Sequence, residues 1–201
     1  MQDNPVYALL IFFVGAYFFK IWLEDARAGK TGPRAMPGAS FSGVFSAALA
    51  VAGSIAILAA ETVLEKVLGF ESEQSSVKFW AVFVWISAAI TEEIIFRGYI
   101  VIKSRGRALL WASALAASLL FALLHPFLWD YSRGGGFTLN LAPKAFFSTL
   151  FIFFNSLWLY FSRFNPSNKT GSLMPCFLAH AAYNIGVFAV KAAQGFALWE
   201  F

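Results

Sequence analysis

Thr91-Glu-Glu-Ile-Ile-Phe-Arg-Gly-Tyr-Ile100 is the stretch from which this chain is read. It sets three formally charged side chains, Glu92, Glu93 and Arg97, inside the largely apolar run from Val77 to Ile102. A charge at the centre of a membrane helix costs about 3 kcal/mol on insertion scales, so groups retained there mark a functional site by default. On a helix, Glu93 and Arg97 are four residues apart, share a face and can pair. Glu92 points about 100° away from Glu93, by the 3.6-residue period, and is left to face something else. The plain alternative is a structural glutamate pair neutralised by neighbouring helices.

Composition fixes the setting of that stretch. A soluble domain carries about 25% charged residues. This chain of 201 residues carries 13%, against 59% hydrophobic and 18% aromatic residues. A core of this size cannot bury so much apolar surface. The fold class expected is therefore all-α: a polytopic transmembrane helix bundle with about six membrane-spanning helices. One integral-membrane domain over residues 1–201 is expected, with a motif-bearing core at about 77–191. The formal net charge of +4 suits anionic lipid at one face of a bilayer. Basic residues are scattered among the connections, so there is no nucleic-acid footprint. Cys176 is the single cysteine and excludes an intrachain disulfide.

The first apolar run is Pro5 to Leu23, long enough for one span. A signal peptide competes, because Ala26-Arg27-Ala28 resembles an A-x-A cleavage site. Against it, the preceding segment holds Asp3 and no Lys or Arg, and the run exceeds an ordinary signal core. Glu24 to Ser40 reads as a loop, with Gly29, Gly32, Pro33, Pro37 and Gly38. The second run, Phe41 to Ala60, is rich in small residues that suit close helix packing. Its helix should continue for about two turns into the polar stretch Glu61 to Ser76. The third run carries the opening motif, Lys103 to Arg107 is a basic turn, and Ala108 to His125 is the fourth run. Pro126 to Pro143, with three consecutive glycines among aromatic residues, suits an interfacial loop or re-entrant segment. The fifth run is Lys144 to Phe164, Asn165 to Gly171 is a polar turn, and the sixth run is Ser172 to about Lys191. A tail with a further apolar patch follows. With the N-terminus outside, the inner connections hold nine Lys or Arg and the outer side five, which favours N-out and C-out.

Both histidines of the chain fall in expected membrane helices. His125 closes the fourth run. His180 lies in the sixth, with Asn184 one turn later on the same face, both able to donate inward. A lone membrane histidine is ordinarily a packing residue. Two histidines, an asparagine and Glu92-Glu93-x-x-x-Arg97 on separate helices of a small bundle need partners in lipid, and the simplest partners are one another.

These residues carry a resemblance. Glu92-Glu93-x-x-x-Arg97, continued by Gly98-Tyr99, resembles the first motif of the CAAX protease and bacteriocin-processing (CPBP, or Abi) family of intramembrane proteases. Phe121-x-x-x-His125 is similar to its second motif. Gly171-Ser172-Leu173 through His180-x-x-x-Asn184 is similar to its third. The three stand in family order over about half the chain, while the first two helices match nothing specific.

The resemblance implies an intramembrane endopeptidase that cleaves a membrane-associated protein or peptide. It assigns Glu92 and His125 to water activation, His180 and Asn184 to the oxyanion, and Glu93 with Arg97 to a supporting ion pair. A carboxylate withdrawn from bulk water suits the base role. Oxyanion donors can each contribute several kcal/mol to the barrier. The family also has a metalloprotease description, in which zinc would take Glu92, His125 and His180. No cofactor is the favoured reading, because an amide such as Asn184 is a poor zinc ligand and a good oxyanion donor. Two further classes stand as alternatives: a non-catalytic membrane binding or immunity protein on the same fold, and a small proton-coupled transporter. The second is disfavoured because no inverted repeat or broken helix pair is visible. One tension remains in the helix lengths. At about 1.5 Å per residue the expected helices leave Glu92 and His125 at depths that differ by around 10 Å. Tilt, or a later start of the fourth helix, would be needed to close that gap.

Overall fold

The computed structural model describes residues 4–132 and 135–199. Six helices dominate: α1 Pro5–Arg27, α2 Val44–Val67, α3 Ala81–Glu92, α4 Arg107–Leu124, α5 Pro143–Phe164 and α6 Met174–Ala193. Five of them, all but α3, are long and apolar enough to cross a membrane. The 12 residues of α3 run directly into a 7-residue π-helix, Glu93–Tyr99. The chain is an all-α membrane bundle.

Local chemistry explains the helix starts. Asn4 caps α1, its Oδ1 accepting from the amides of Val6 at 2.9 Å and Tyr7 at 3.4 Å, with Pro5 in the first turn. Prolines likewise stand in the first turns of α5 and α6. Helix α2 packs against α5 and α6, α1 against α3, α3 against α6, and α4 against α5. Leu, Phe, Val and Ile side chains remain exposed on the outward faces, as a lipid-facing surface requires.

Close approach is achieved with small residues. A Cβ on Gly15 of α1 would lie 2.3 Å from Ser87 Oγ and 2.7 Å from Ser87 Cα of α3, so only glycine fits there. The Ser87 hydroxyl in turn donates to the Ile11 carbonyl at 2.7 Å, which stitches α1 to the helix that carries the charged motif. Gly53 of α2 faces the Trp158 ring of α5 in the same way, and Trp158 Nε1 donates to the Ala50 carbonyl at 2.8 Å.

Several expected boundaries differ. Residues 77–80 are not part of the third helix; Val77–Lys78 form a short strand, β1, parallel to a strand at Ala197–Leu198 in the apolar tail. The helix also stops at Tyr99 rather than Ile102, and the non-helical stretch 100–106 runs back beside α4, where the Ile102 amide meets Ser113 Oγ at 3.3 Å. The fourth helix starts at Arg107, no later than expected, so the earlier end of the third segment is what shifts the two relative to each other. The first turns of α4 lie beyond the end of the π-helix, so Phe96 and Phe121 reach the same level, with rings 4.9 Å apart. Glu92 lies one turn before Phe96, and His125 four residues after Phe121.

The segment expected as a loop or re-entrant stretch holds an antiparallel hairpin, β2 Trp129–Ser132 and β3 Gly136–Leu139, with β4 the tail strand Ala197–Leu198. Arg163 is fully buried at the end of α5, where its Nε donates to the Gly171 carbonyl at 3.1 Å.

Candidate active site

The site lies where α3 widens into the π-helix. In that segment the backbone bonds to the fifth residue back, as the Ile100 amide does to the Ile95 carbonyl at 2.9 Å. Such segments are rare in proteins and concentrate at functional sites. Near its end stands Gly98, where an added Cβ would come within 2.7 Å of Pro37 Cγ from the loop after α1. Nearby, the Tyr160 hydroxyl of α5 donates to the Phe96 carbonyl at 2.7 Å, satisfying an acceptor at the helix end.

Glu93 and Arg97 are both fully buried, and Arg97 Nη1 donates to Glu93 Oε1 at 2.9 Å. Arg97 Nη2 donates to the Ser156 hydroxyl at 2.6 Å and to the Ser156 carbonyl at 3.1 Å. The guanidinium also lies over the rings of Phe121, 4.6 Å from its centroid, and Tyr160, at 5.0 Å. A buried ion pair is tolerable only when further hydrogen bonds satisfy its remaining groups. Ser156 receives Nη2 and the two rings cover the guanidinium, while Arg97 Nε and Glu93 Oε2 find no hydrogen-bond partner among the described residues.

His180 of α6 joins the same carboxylate, its Nδ1 2.8 Å from Glu93 Oε1. A carboxylate only accepts, so Nδ1 carries the hydrogen and Nε2 is the free nitrogen. That Nε2 stands 3.8 Å from Glu92 Oε2, whose side chain is 32% exposed while that of His180 is 7% exposed. The structure thus brings Glu92, Glu93, Arg97 and His180 into one contiguous set across α3, the π-helix and α6.

The other two expected residues sit at its margin. His125, the residue that ends α4, turns to extended geometry, with ψ at 127°. Its Nδ1 meets the Phe121 carbonyl at 2.8 Å and so must donate, which leaves Nε2 as an acceptor. No hydrogen bond or ion-pair contact joins His125 to Glu92; the Phe121 ring lies between the two histidines, 4.7 Å from His125 and 6.1 Å from His180. Asn184 is half-buried, and its Nδ2 donates to the Trp85 carbonyl of α3 at 2.9 Å. An amide has two N–H donors, so one is engaged there and the other is open.

Zinc would need three protein donors converging on one point. Each histidine donates through Nδ1 to a carbonyl or carboxylate, which leaves Nε2 available in the way a metal ligand would need, but among the described residues no three His, Cys, Asp or Glu side chains converge to hold an ion. As arranged, Glu92, His125 and His180 do not form a zinc set.

Ser156 and Tyr160 are the participants that the sequence reading did not single out for the site. Asn155-Ser156 is a polar pair deep in the fifth apolar run, and asking where those groups find partners in lipid would have pointed inward. Asn155 Oδ1 accepts from Ser54 Oγ at 3.0 Å, so the pair turns one residue to α2 and the other to the site.

Among known proteins, the family model described as Type II CAAX prenyl endopeptidase Rce1-like matches residues 74–186. Neither the curated proteins nor the solved structures yield a match.

Proposed function

The chain belongs to the type II CAAX prenyl endopeptidase Rce1-like family, and from that premise we propose that it hydrolyses a peptide bond of a membrane-associated protein or peptide at the Glu92–His180 site. Its family and its five candidate spans make it an integral membrane protein of the CAAX protease type. The observation that carries the catalytic reading is the meeting of Glu92 Oε2 and His180 Nε2 at 3.8 Å, with His180 fixed from behind by Glu93.

In this reading Glu92 is the general base. It takes a proton from a water molecule as the water oxygen bonds to the scissile carbonyl carbon. The carbon–nitrogen bond then breaks, and the proton passes from Glu92 to the departing amine. His180 stands to Glu92 as a partner whose orientation Glu93 holds, in the manner of a carboxylate that fixes a catalytic imidazole. As an imidazolium that keeps its proton through the cycle, His180 donates from Nε2–H to the developing oxyanion, beside the open N–H of Asn184. His125 supports the water through its accepting Nε2. No metal enters these steps. With the basic connections facing inward, both termini lie outside.

The experiment is a cleavage assay in lipid vesicles on prenylated CaaX-tail peptides, with wild type and Glu92→Gln, with and without a chelator. Wild type should cleave, the variant should lose about 100- to 10,000-fold in rate, and the chelator should change neither rate nor stability. A tightly bound zinc, lost together with activity and restored with it, overturns the metal-free mechanism. Full activity in Glu92→Gln overturns the role of Glu92.

A further inference from the structure

An endopeptidase must receive its substrate extended, because a helix ties each carbonyl to an amide one turn away and hides the bond to be cut. An extended segment near a membrane needs partners for its own backbone. The hairpin that follows His125 offers such partners. The Asn140 amide donates to the Leu128 carbonyl at 2.9 Å, marking 128 and 140 as a hydrogen-bonded pair. In an antiparallel ladder bonded and non-bonded pairs alternate, and the register pairs Trp129 with Leu139, Asp130 with Thr138 and Tyr131 with Phe137. Residues 130 and 138 therefore bond inward. The amides and carbonyls of Trp129 and Tyr131 turn to one edge, and those of Phe137 and Leu139 to the other, none with a partner among the described residues.

Natural edges are ordinarily blunted by lysine, proline or a bulge. Neither strand has a lysine or a proline, and their register is regular. The β2 side is also the one tied to the site. Trp129 Nε1 donates to the Leu123 carbonyl of α4 at 2.8 Å, and Phe127 stacks on His125 with ring centroids 6.4 Å apart. From His125 to Trp129 is only four residues of chain, whereas β3 leads away into α5.

We propose that the outer edge of β2, through the backbone groups of Trp129 and Tyr131, binds the extended peptide substrate as an added third strand beside the catalytic groups. This rests on the endopeptidase reading above, and it names the surface that positions the peptide. Recognition of this kind draws affinity from main-chain hydrogen bonds rather than from side chains.

The test separates backbone from side chain. Tyr131→Pro removes one outward N–H and no bond of the hairpin itself, a position where an edge strand accepts proline. Tyr131→Ala keeps the N–H, and Phe137→Pro alters the opposite edge. Binding is read by fluorescence anisotropy of a labelled, prenylated CaaX-tail peptide on the full chain carrying Glu92→Gln, and turnover on the chain with Glu92 intact. Tyr131→Pro should weaken binding and raise KM about tenfold with kcat unchanged, while the other two stay within about twofold. Methylating the backbone amides of the peptide one at a time should weaken binding at every second position, a readout that holds even where the proline variant folds poorly. Unchanged affinity in Tyr131→Pro together with no alternation in the methylated peptides overturns the proposal. So does equal loss in Tyr131→Ala, which assigns the exposed ring to the lipid surface, and so does loss confined to Phe137→Pro. Proline-sensitive binding without turnover in wild type would sink the endopeptidase reading alone, and turnover indifferent to every edge change would sink the strand addition alone.

Discussion

Oε1 of Glu93 accepts from His180 Nδ1 at 2.8 Å and from Arg97 Nη1 at 2.9 Å. One oxygen thus holds both the orientation of the imidazole and the charge of the guanidinium. Glu93→Gln can still offer an oxygen but no charge, and it leaves Arg97 buried without a counter-ion. Removing one member of a buried pair costs about 3–5 kcal/mol. The thermal midpoint and folded yield of Glu93→Gln in membranes should therefore fall, and so should those of Arg97→Ala. An Arg97→Ala protein with wild-type stability and no turnover would move Arg97 from support to chemistry.

Ser156→Ala removes the hydroxyl that receives Arg97 Nη2 and leaves the Ser156 carbonyl in place. A hydrogen bond to a charged group contributes about 1.5–3 kcal/mol. Thermal unfolding should show a loss in that range, smaller than the loss in Arg97→Ala. A stability equal to wild type would mean that the carbonyl alone satisfies Nη2.

Asn184 has one N–H on the Trp85 carbonyl and one open. Loss of an oxyanion donor lowers kcat about 100- to 1,000-fold, whereas loss of a neutral structural bond costs about 1 kcal/mol of stability. Asn184→Ala should show both effects, read by single-turnover kinetics and by unfolding. A stability loss with kcat unchanged would confine Asn184 to holding α6 against α3.

Gly15→Ala forces a methyl into Ser87, including its backbone Cα at 2.7 Å. Overpacking of this kind costs about 1–3 kcal/mol. The single variant should unfold at lower temperature, and adding Ser87→Gly should recover only part of the loss, because the Cα remains. Unchanged stability in Gly15→Ala would show that the two helices can part without penalty.

The bundle, and the polar residues proposed for the chemistry, were legible because charge in an apolar run is costly and therefore conspicuous. Glu92, Glu93, Arg97, His125, His180 and Asn184 all announce themselves as polar groups at membrane depth. Their connectivity did not. Helical spacing indicates that Glu93 and Arg97 share a face, yet it cannot show that His180 shares the same oxygen, since that depends on how α6 crosses α3. The π-helix was invisible for a related reason: no residue type demands it, and Gly98 reads as an ordinary membrane glycine until Pro37 is seen against it. The hairpin carried a signal that was available, the alternation of Trp129-Asp-Tyr-Ser132 ahead of glycines. Ser156 escaped because a single serine in a membrane helix costs little and carries no spacing.

The contact of Gly15 with Ser87, and of the Ser87 hydroxyl with Ile11, joins a helix outside residues 74–186 to one inside them. The family-matched half is therefore no interchangeable cassette. A chimera that grafts another member's family-matched half onto this α1 would have to bring a residue as small as serine to position 87, since Gly15 already has the least bulk a residue can offer. Exchange of modules between such proteins is limited at this crossing by steric fit, and the first helix, which lies outside the family-matched residues, helps decide which such halves the chain can accept.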